Sequence, residues 1–328
     1  VKHVAVIGAG AWGTALAVVA ATNQHRVSLW ARESDVVSDV NTSHRNLRFL
    51  PDAELQSSIY ATDDLASITD ADIVIVAIPT QHIRSTLTAA PLLRNAIVVN
   101  VAKGIEIGTH LRVSEILGDL GLLGDSYTVL SGPSHAEEVV KSMPTTVVVA
   151  SQDDAAARVV QDVLSTDDFR VYTSDDVIGV EICGALKNVI AIASGVIDGL
   201  GMGDNTKAAL ITRGLAEIAR LGVALGATPS TFYGLAGLGD LYVTCSSRHS
   251  RNRFVGEELG KGRTLDSILS SMTAVAEGVT TTRAALELAA TVGVELPITE
   301  KIAGIMFAAE DPRDAIRELM TRPTKDED

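Results

Sequence analysis

The sequence is short of cysteine, of aromatics and of basic charge, and each scarcity narrows what the chain can be. Cys183 and Cys245 are the only cysteines among 328 residues. They are too few for a disulfide framework and lack the C-x-x-C spacing of a metal site, so a reducing, cytoplasmic setting and no metal centre are expected. Aromatics make up 4%, which predicts aliphatic cores. Lysine and arginine number 27 against 41 aspartates and glutamates, a net charge of −14. A chain this acidic is repelled by a phosphate backbone or an anionic bilayer, so neither nucleic acid nor a membrane is an expected partner. Long hydrophobic runs are also few: the uncharged stretch from Leu221 to Gly239 contains Pro229 and five glycines and makes a poor spanning helix. The opening Val1-Lys2-His3-Val4 enters an apolar run at once, with no basic region and cleavage site, and predicts no export leader.

What is present suits two globular domains, since a domain averages about 150 residues and the composition is 46% apolar and 21% charged. Residues 1–174 alternate β-branched runs with helical segments: Val4–Ile7, Val27–Trp30, Ile73–Ile78, Ala96–Val101, Thr128–Leu130 and Thr146–Ala150. This rhythm predicts an α/β fold, a doubly wound parallel sheet wrapped by helices. From Asp175 the β signals stop, and residues 175–328 read as all-α: one long apolar helix from Asp175 to Ile197, a second capped by Asp204 and reaching Leu221, and further helices near 265–277, 280–292 and 298–320. Thr324-Lys325-Asp326-Glu327-Asp328 reads as a solvated tail.

The first strand runs into Gly8-Ala9-Gly10-Ala11-Trp12-Gly13 and then a helix. That is G-x-G-x-x-G in the context that gives it meaning. Gly8 permits the tight turn, Gly10 lets backbone approach a pyrophosphate, and Gly13 allows close helix-to-strand packing, so a dinucleotide is the expected cofactor. Arg32 ends the second strand with Glu33 beside it. The arginine accommodates a 2′-phosphate and the glutamate keeps ribose hydroxyls possible, so both NAD and NADP fit; the plain alternative is a surface ion pair.

Lys187 lies on the long apolar helix, with Cys183, Gly184, Ile190 and Ala191 at helical spacing. Burial lowers a lysine's pKa toward neutrality, which suits an acid serving a carbonyl under hydride attack. Lys103 follows a strand at the edge where ligands of such sheets bind, and Ser131-Gly132-Pro133-Ser134-His135-Ala136 follows another at the same edge. His135, with Glu137 and Glu138 behind it, reads as structural. Gly237 to Arg253 holds Arg248, Arg251 and Arg253 among hydroxyls, a positive island suited to a phosphate, with Asp240 placed to hold the lysine charge. Cys245 reads as packing.

These residues together resemble the NAD(P)-dependent sn-glycerol-3-phosphate dehydrogenases of the bacterial type, over residues 3 to about 315. The likeness is carried by Gly8–Ala15, Asn46–Pro51, Val101–Glu106, Ser131–Ser134, Gly184–Asn188, Gly201–Lys207 and Gly237–Asp240. It implies an amino-terminal Rossmann domain, an all-helical substrate domain, and reduction of dihydroxyacetone phosphate to sn-glycerol 3-phosphate by NAD(P)H for phospholipid synthesis. It further implies Lys187 as proton donor and acceptor. Lys103, Gly132, Ser134, Asp240, Thr244, Ser250, Arg251 and Asn252 are implied at the small-molecule substrate, and Ala11, Trp12, Arg32, Phe49, Lys103, Ala136, Arg251, Val275 and Glu277 at the cofactor. A homodimer is expected on the same ground. Where many members carry Tyr-Leu-Pro-Gly, this chain has Phe49-Leu50-Pro51-Asp52. Two other readings compete: a β-hydroxyacid or ketopantoate-type reductase, which places an asparagine one turn after its lysine where this chain has Ala191, and a dinucleotide sensor without chemistry, which leaves Lys187 without a purpose.

Overall fold

The structure, a computed structural model, describes residues 1–88, 96–124, 126–272, 275–323 and 326. Thr324, Lys325, Glu327 and Asp328 of the expected tail lie outside them. The first half builds one eight-stranded sheet from β1 (His3–Ile7), β2 (Arg26–Trp30), β3 (Ile59–Thr62), β4 (Ile73–Val76), β5 (Ile97–Asn100), β6 (Tyr127–Ser131), β7 (Thr145–Ala150) and β8 (Phe169–Ser174). Their spatial order is β3-β2-β1-β4-β5-β6-β7-β8. The chain leaves β1 toward β3 on one side and resumes at β4 on the other, so β1 and β4 flank the switch point where doubly wound sheets bind ligands. Helices α1 (Ala11–Thr22), α2 (Ser34–Ser43), α3 (Thr80–Leu87), α4 (Val113–Asp119), α5 (Ala136–Val139) and α6 (Asp154–Leu164) accompany the strands.

The sheet departs from the expected all-parallel arrangement at one place. β7 runs antiparallel to β6, and β8 is parallel to β7. The link from β6 to β7 holds only the four-residue α5, which returns the chain beside its own end instead of carrying it over the sheet as a longer crossover helix would. β3 and β8 escaped the sequence reading because they are edge strands. Tyr60 stands exposed in the first, and buried and exposed residues alternate along most of the second.

The second half is helical throughout its described residues: α7 (Val177–Gly199), α8 (Asp204–Ala224), α9 (Asp240–Ser246), α10 (Arg251–Gly260), α11 (Leu265–Ser270), α12 (Glu277–Thr291), α13 (Pro297–Phe307) and α14 (Pro312–Met320). α7 is buried nearly all round. It is long and apolar enough to cross a membrane by length and composition, yet lies inside the protein, against β6 and with its apolar side chains continuous with those under α3 and α4. Asp176 caps it, accepting from the Gly179 amide at 2.9 Å. Three expectations shift here. Gly203, not Asp204, occupies the N-cap of α8, and Asp204 sits in its first turn where a negative charge favours the helix dipole. The helix expected over 265–277 ends at Ser270. The helix expected over 298–320 breaks after Phe307, and Asp311 caps a new one at Pro312.

Close glycine contacts set the spacing of α7 and α10. At Gly195 of α7 an added Cβ would lie 1.9 Å from the Arg253 carbonyl oxygen, and at Gly256 of α10 it would lie 1.9 Å from that of Ile192. Only glycine lets the two helices approach so closely. That approach fixes the start of α10, with Arg251 and Asn252, beside the helix that carries Lys187.

Candidate active site

The loop between β1 and α1 has the geometry its glycines predict. Gly8 has φ of +119°, and a Cβ there would stand 2.5 Å from the Ala77 carbonyl oxygen; one at Gly13 would stand 2.0 Å from that of Gly8. At Gly10, by contrast, a Cβ would meet nothing within 4 Å, so open space lies against the loop. Gly10 is the N-cap of α1 and no side chain caps that helix end. The amides of its first turn, at Ala11, Trp12 and Gly13, therefore face outward for an anion. The loop is braced from behind by Asn46, fully buried, whose Nδ2 donates to the Ala9 carbonyl at 2.8 Å and to Thr14 Oγ1 at 2.8 Å. Its Oδ1 accepts from the Phe49 amide at 3.1 Å, which holds Phe49 near this end of the site. These features fit a nicotinamide dinucleotide, with its pyrophosphate on the first-turn amides.

β2 lies beside the loop, since the Gly8 amide donates to the Trp30 carbonyl at 3.0 Å. Arg32 emerges two residues later, with a side chain 76% exposed and paired to Glu33 at 2.9 Å. Both expected states of that pair, cofactor reader and surface ion pair, start from this geometry.

Away from this loop, three sequence-separated groups converge on one carboxylate. Asp240, the first residue of α9, is 1% exposed. Lys187 Nζ donates to its Oδ1 and, at 2.9 Å, to Thr244 Oγ1. Lys103 Nζ donates to Oδ2 at 2.7 Å, and Ser131 Oγ to the same oxygen at 3.2 Å. Asn188 Nδ2 donates to the Lys103 carbonyl at 3.1 Å, which ties the loop after β5 to α7. Burial drives the Lys187 pKa well below the ordinary lysine range; Asp240 opposes the shift and the charge of Lys103 adds to it. Burial would raise the Asp240 pKa, but Lys103 and Lys187 outweigh it and hold the group ionised. The result is a desolvated ammonium on a fixed carboxylate, which is what a proton donor to a nascent alkoxide needs.

The phosphate cluster is smaller than its sequence suggests. Arg253 is turned inward, where it donates to Asp198 at 2.7 Å, and Lys207 pairs with the same aspartate at 2.9 Å. Arg248 is exposed. Arg251, at the first position of α10, makes no ion pair with an acid among the described residues, and its charge reaches Glu277. Ser250 caps α10, its Oγ accepting from the Arg253 amide at 3.2 Å. Asn252 Oδ1 accepts from the Gly278 amide at 3.0 Å, so it also pins the start of α12.

Glu277 at that start is half-buried; its Oε1 accepts from the Thr80 amide at 2.9 Å and Thr80 Oγ1 at 3.3 Å, and desolvation raises its pKa. It thus joins α12 to α3, beside the β4 end of the switch point. Val275 is 48% exposed just before it. On the sheet side, Gly132 has φ of +147° and a Cβ there would lie 2.9 Å from Val147 Cα. Ser134 Oγ donates to the Gly132 carbonyl at 2.9 Å, and Ala136 is buried at the start of α5. His135 packs its ring against His249, centroids 5.8 Å apart, with Nε2 buried and unpartnered, and burial lowers its pKa. Sequence reasoning missed Ser131, Thr80, Asn46 and Asp198 as partners of these groups. Among the described residues no group of three His, Cys, Asp or Glu could hold a metal.

Comparison with known proteins agrees over both halves. Family models described as the N-terminus and C-terminus of NAD-dependent glycerol-3-phosphate dehydrogenase match residues 3–157 and 176–317. A glycerol-3-phosphate dehydrogenase (NAD(P)+) of Geobacillus kaustophilus is 53% identical, covering 99% of this chain and 96% of the relative. One from Enterococcus faecalis is 50% identical over 99% of this chain and 97% of its own length. The crystal structure of a glycerol-3-phosphate dehydrogenase from Coxiella burnetii superposes with a TM-score of 0.93 at 37% identity, covering 98% of this chain and 99% of that one.

Proposed function

The chain belongs to the NAD-dependent glycerol-3-phosphate dehydrogenase family, and from that premise we propose how its own residues carry out the reaction. It reduces dihydroxyacetone phosphate to sn-glycerol 3-phosphate with NAD(P)H. When bound, the nicotinamide supplies hydride to the carbonyl carbon. The α1 amides and the open face of Gly10 would hold the pyrophosphate, Arg32 and Phe49 would lie toward the adenine, and Trp12, Ala136, Val275 and Glu277 would make the other cofactor contacts. Lys187 donates the proton that the carbonyl oxygen needs as hydride arrives, leaving the lysine as a neutral amine; its depressed pKa favours that release. Asp240 fixes the direction of the ammonium, and Thr244 holds it from a second side. Lys103, the most exposed member of the cluster at 17%, can turn from Asp240 toward substrate. Arg251 neutralises the phosphate, helped by the Ser250 hydroxyl and by Asn252 Nδ2, while Gly132 and Ser134 close the opposite wall.

The convergence of Lys187, Lys103 and Thr244 on buried Asp240 is the observation that carries this reading. A dinucleotide sensor would gain nothing from a desolvated lysine held so, and a β-hydroxyacid or ketopantoate-type reductase would need no site for a phosphate dianion such as Arg251 and its neighbours offer. On the same reading the chain divides after Ser174 into a dinucleotide domain and a substrate domain. It also includes a cytoplasmic homodimer that supplies glycerophospholipid synthesis, which rests on the family resemblance. The test is a spectrophotometric assay of NADH and NADPH oxidation with dihydroxyacetone phosphate, run beside a 2-keto acid. Turnover of the phosphorylated ketone alone is expected; turnover of the keto acid alone would overturn the assignment.

A further inference from the structure

Asp240 serves two lysines with two different oxygens. Oδ1 takes Lys187, with Thr244 Oγ1 at 3.4 Å beside it, while Oδ2 takes Lys103 and Ser131. The two lysines are not equally placed. The side chain of Lys187 is 7% exposed and that of Lys103 is 17%, and the Lys103 main chain is tied to α7 through Asn188. Its ammonium can therefore swing on its long stem while its backbone stays fixed. A phosphorylated ketone that draws this ammonium would leave Oδ2 of a buried carboxylate with one remaining donor. That donor is Ser131, the last residue of β6, 2% exposed. Its hydroxyl also faces α7 at Gly184, where an added Cβ would lie 3.5 Å from Ser131 Oγ and 3.4 Å from Lys103 Cγ.

We propose that Ser131 is a positioning residue: its hydroxyl holds Oδ2 of Asp240 when Lys103 turns to substrate, so that Oδ1 stays directed at Lys187. The inference rests on Lys187 being the proton donor. Without the hydroxyl, Oδ2 becomes a buried acceptor with no partner, and the carboxylate can rotate to share Lys187 between both oxygens. The Ser131 hydroxyl also draws charge away from Lys187. Its loss leaves more of the Asp240 charge acting on that ammonium, which then holds its proton more tightly. The groups around Lys187 are Asp240 and Thr244 on α9, Lys103 after β5, Cys183 on its own helix and, at longer range, His135 after β6 and Cys245. Burial keeps both thiols protonated.

The experiment compares wild type, Ser131→Ala, Ser131→Thr and Lys187→Ala for kcat, KM for dihydroxyacetone phosphate across pH, and NADH affinity. A hydrogen bond to a charged group is worth about tenfold or more. Ser131→Ala should therefore lose about tenfold in kcat, with KM and NADH affinity within about twofold, and its alkaline limb of kcat should move to higher pH. Ser131→Thr, which keeps the hydroxyl, should restore both. If Ser131→Ala does not fold, Ser131→Cys replaces it as a weaker donor of similar size, and the limb must move the same way. An unmoved limb overturns the proposal, whether or not kcat falls. Near-native turnover in Lys187→Ala would instead sink the lysine assignment, so the two failures are distinguishable.

Discussion

Replacing Asp240 by asparagine should push the alkaline limb of kcat to lower pH and cripple reduction at neutral pH. Burial already holds Lys187 below the usual lysine range, and Asp240 is the main group working against that shift, while Lys103 adds to it. The asparagine keeps the shape and removes the charge, leaving two ammonium groups facing one amide. An opposite charge at such contact moves a pKa by about 1 to 3 units, so Lys187 should lose its proton that much earlier. One unit above its new pKa, about a tenth of the molecules still carry the acid. Because the protonated lysine is the active form, activity is retained below the lowered pKa and lost as pH rises through it. Breaking a buried pair also costs about 3 to 5 kcal/mol of stability, less whatever Lys103 recovers by turning outward. The assay is kcat against pH for wild type and Asp240→Asn with saturating NADH, together with urea unfolding of both. A limb that stays in place or rises would refute the assignment of Lys187 as the group that titrates.

Two further substitutions probe the phosphate and cofactor ends of the proposed site. Arg251→Ala should lower kcat/KM for dihydroxyacetone phosphate by up to about 30- to 4,000-fold, the cost of removing one partner of a charge pair once bound substrate and cofactor cover the exposed Arg251, while unphosphorylated dihydroxyacetone is nearly insensitive at saturating cofactor. An equal loss on both substrates would mean that Arg251 serves the cofactor or the fold. Arg32→Ala should reduce the efficiency of NADPH relative to NADH, because Arg32, exposed beside Glu33, is placed to pair with a 2′-phosphate; an unchanged ratio of the two would show the pair to be a surface contact.

The glycine loop, the central strands and the buried α7 were legible because each rests on a local pattern: G-x-G-x-x-G between strand and helix, β-branched runs, and an apolar helix interrupted by Lys187. The reversal of direction at β7 was not, since it depends on the short return through α5 and not on the composition of the strand. The segment from Gly237 to Arg253 read as a polar island, and the fold makes most of it α9 and the start of α10. Helix packing then turns Arg253 onto Asp198 and leaves Arg251 available. Asp240 was legible as the group that holds the lysine charge, because a buried charge must find its opposite, and the structure pairs the two. Ser131 was not singled out. A serine ending a strand before a glycine has many uses, and only the meeting of β6, α7 and α9 gives it the carboxylate.

The central claim is that Lys187 delivers the proton. Its most direct test is kcat for dihydroxyacetone phosphate in Lys187→Ala, with NADH affinity measured by titration on the same preparation. A loss of about 100- to 10,000-fold in kcat with unchanged NADH affinity is predicted, and a kcat near that of the wild type would contradict it.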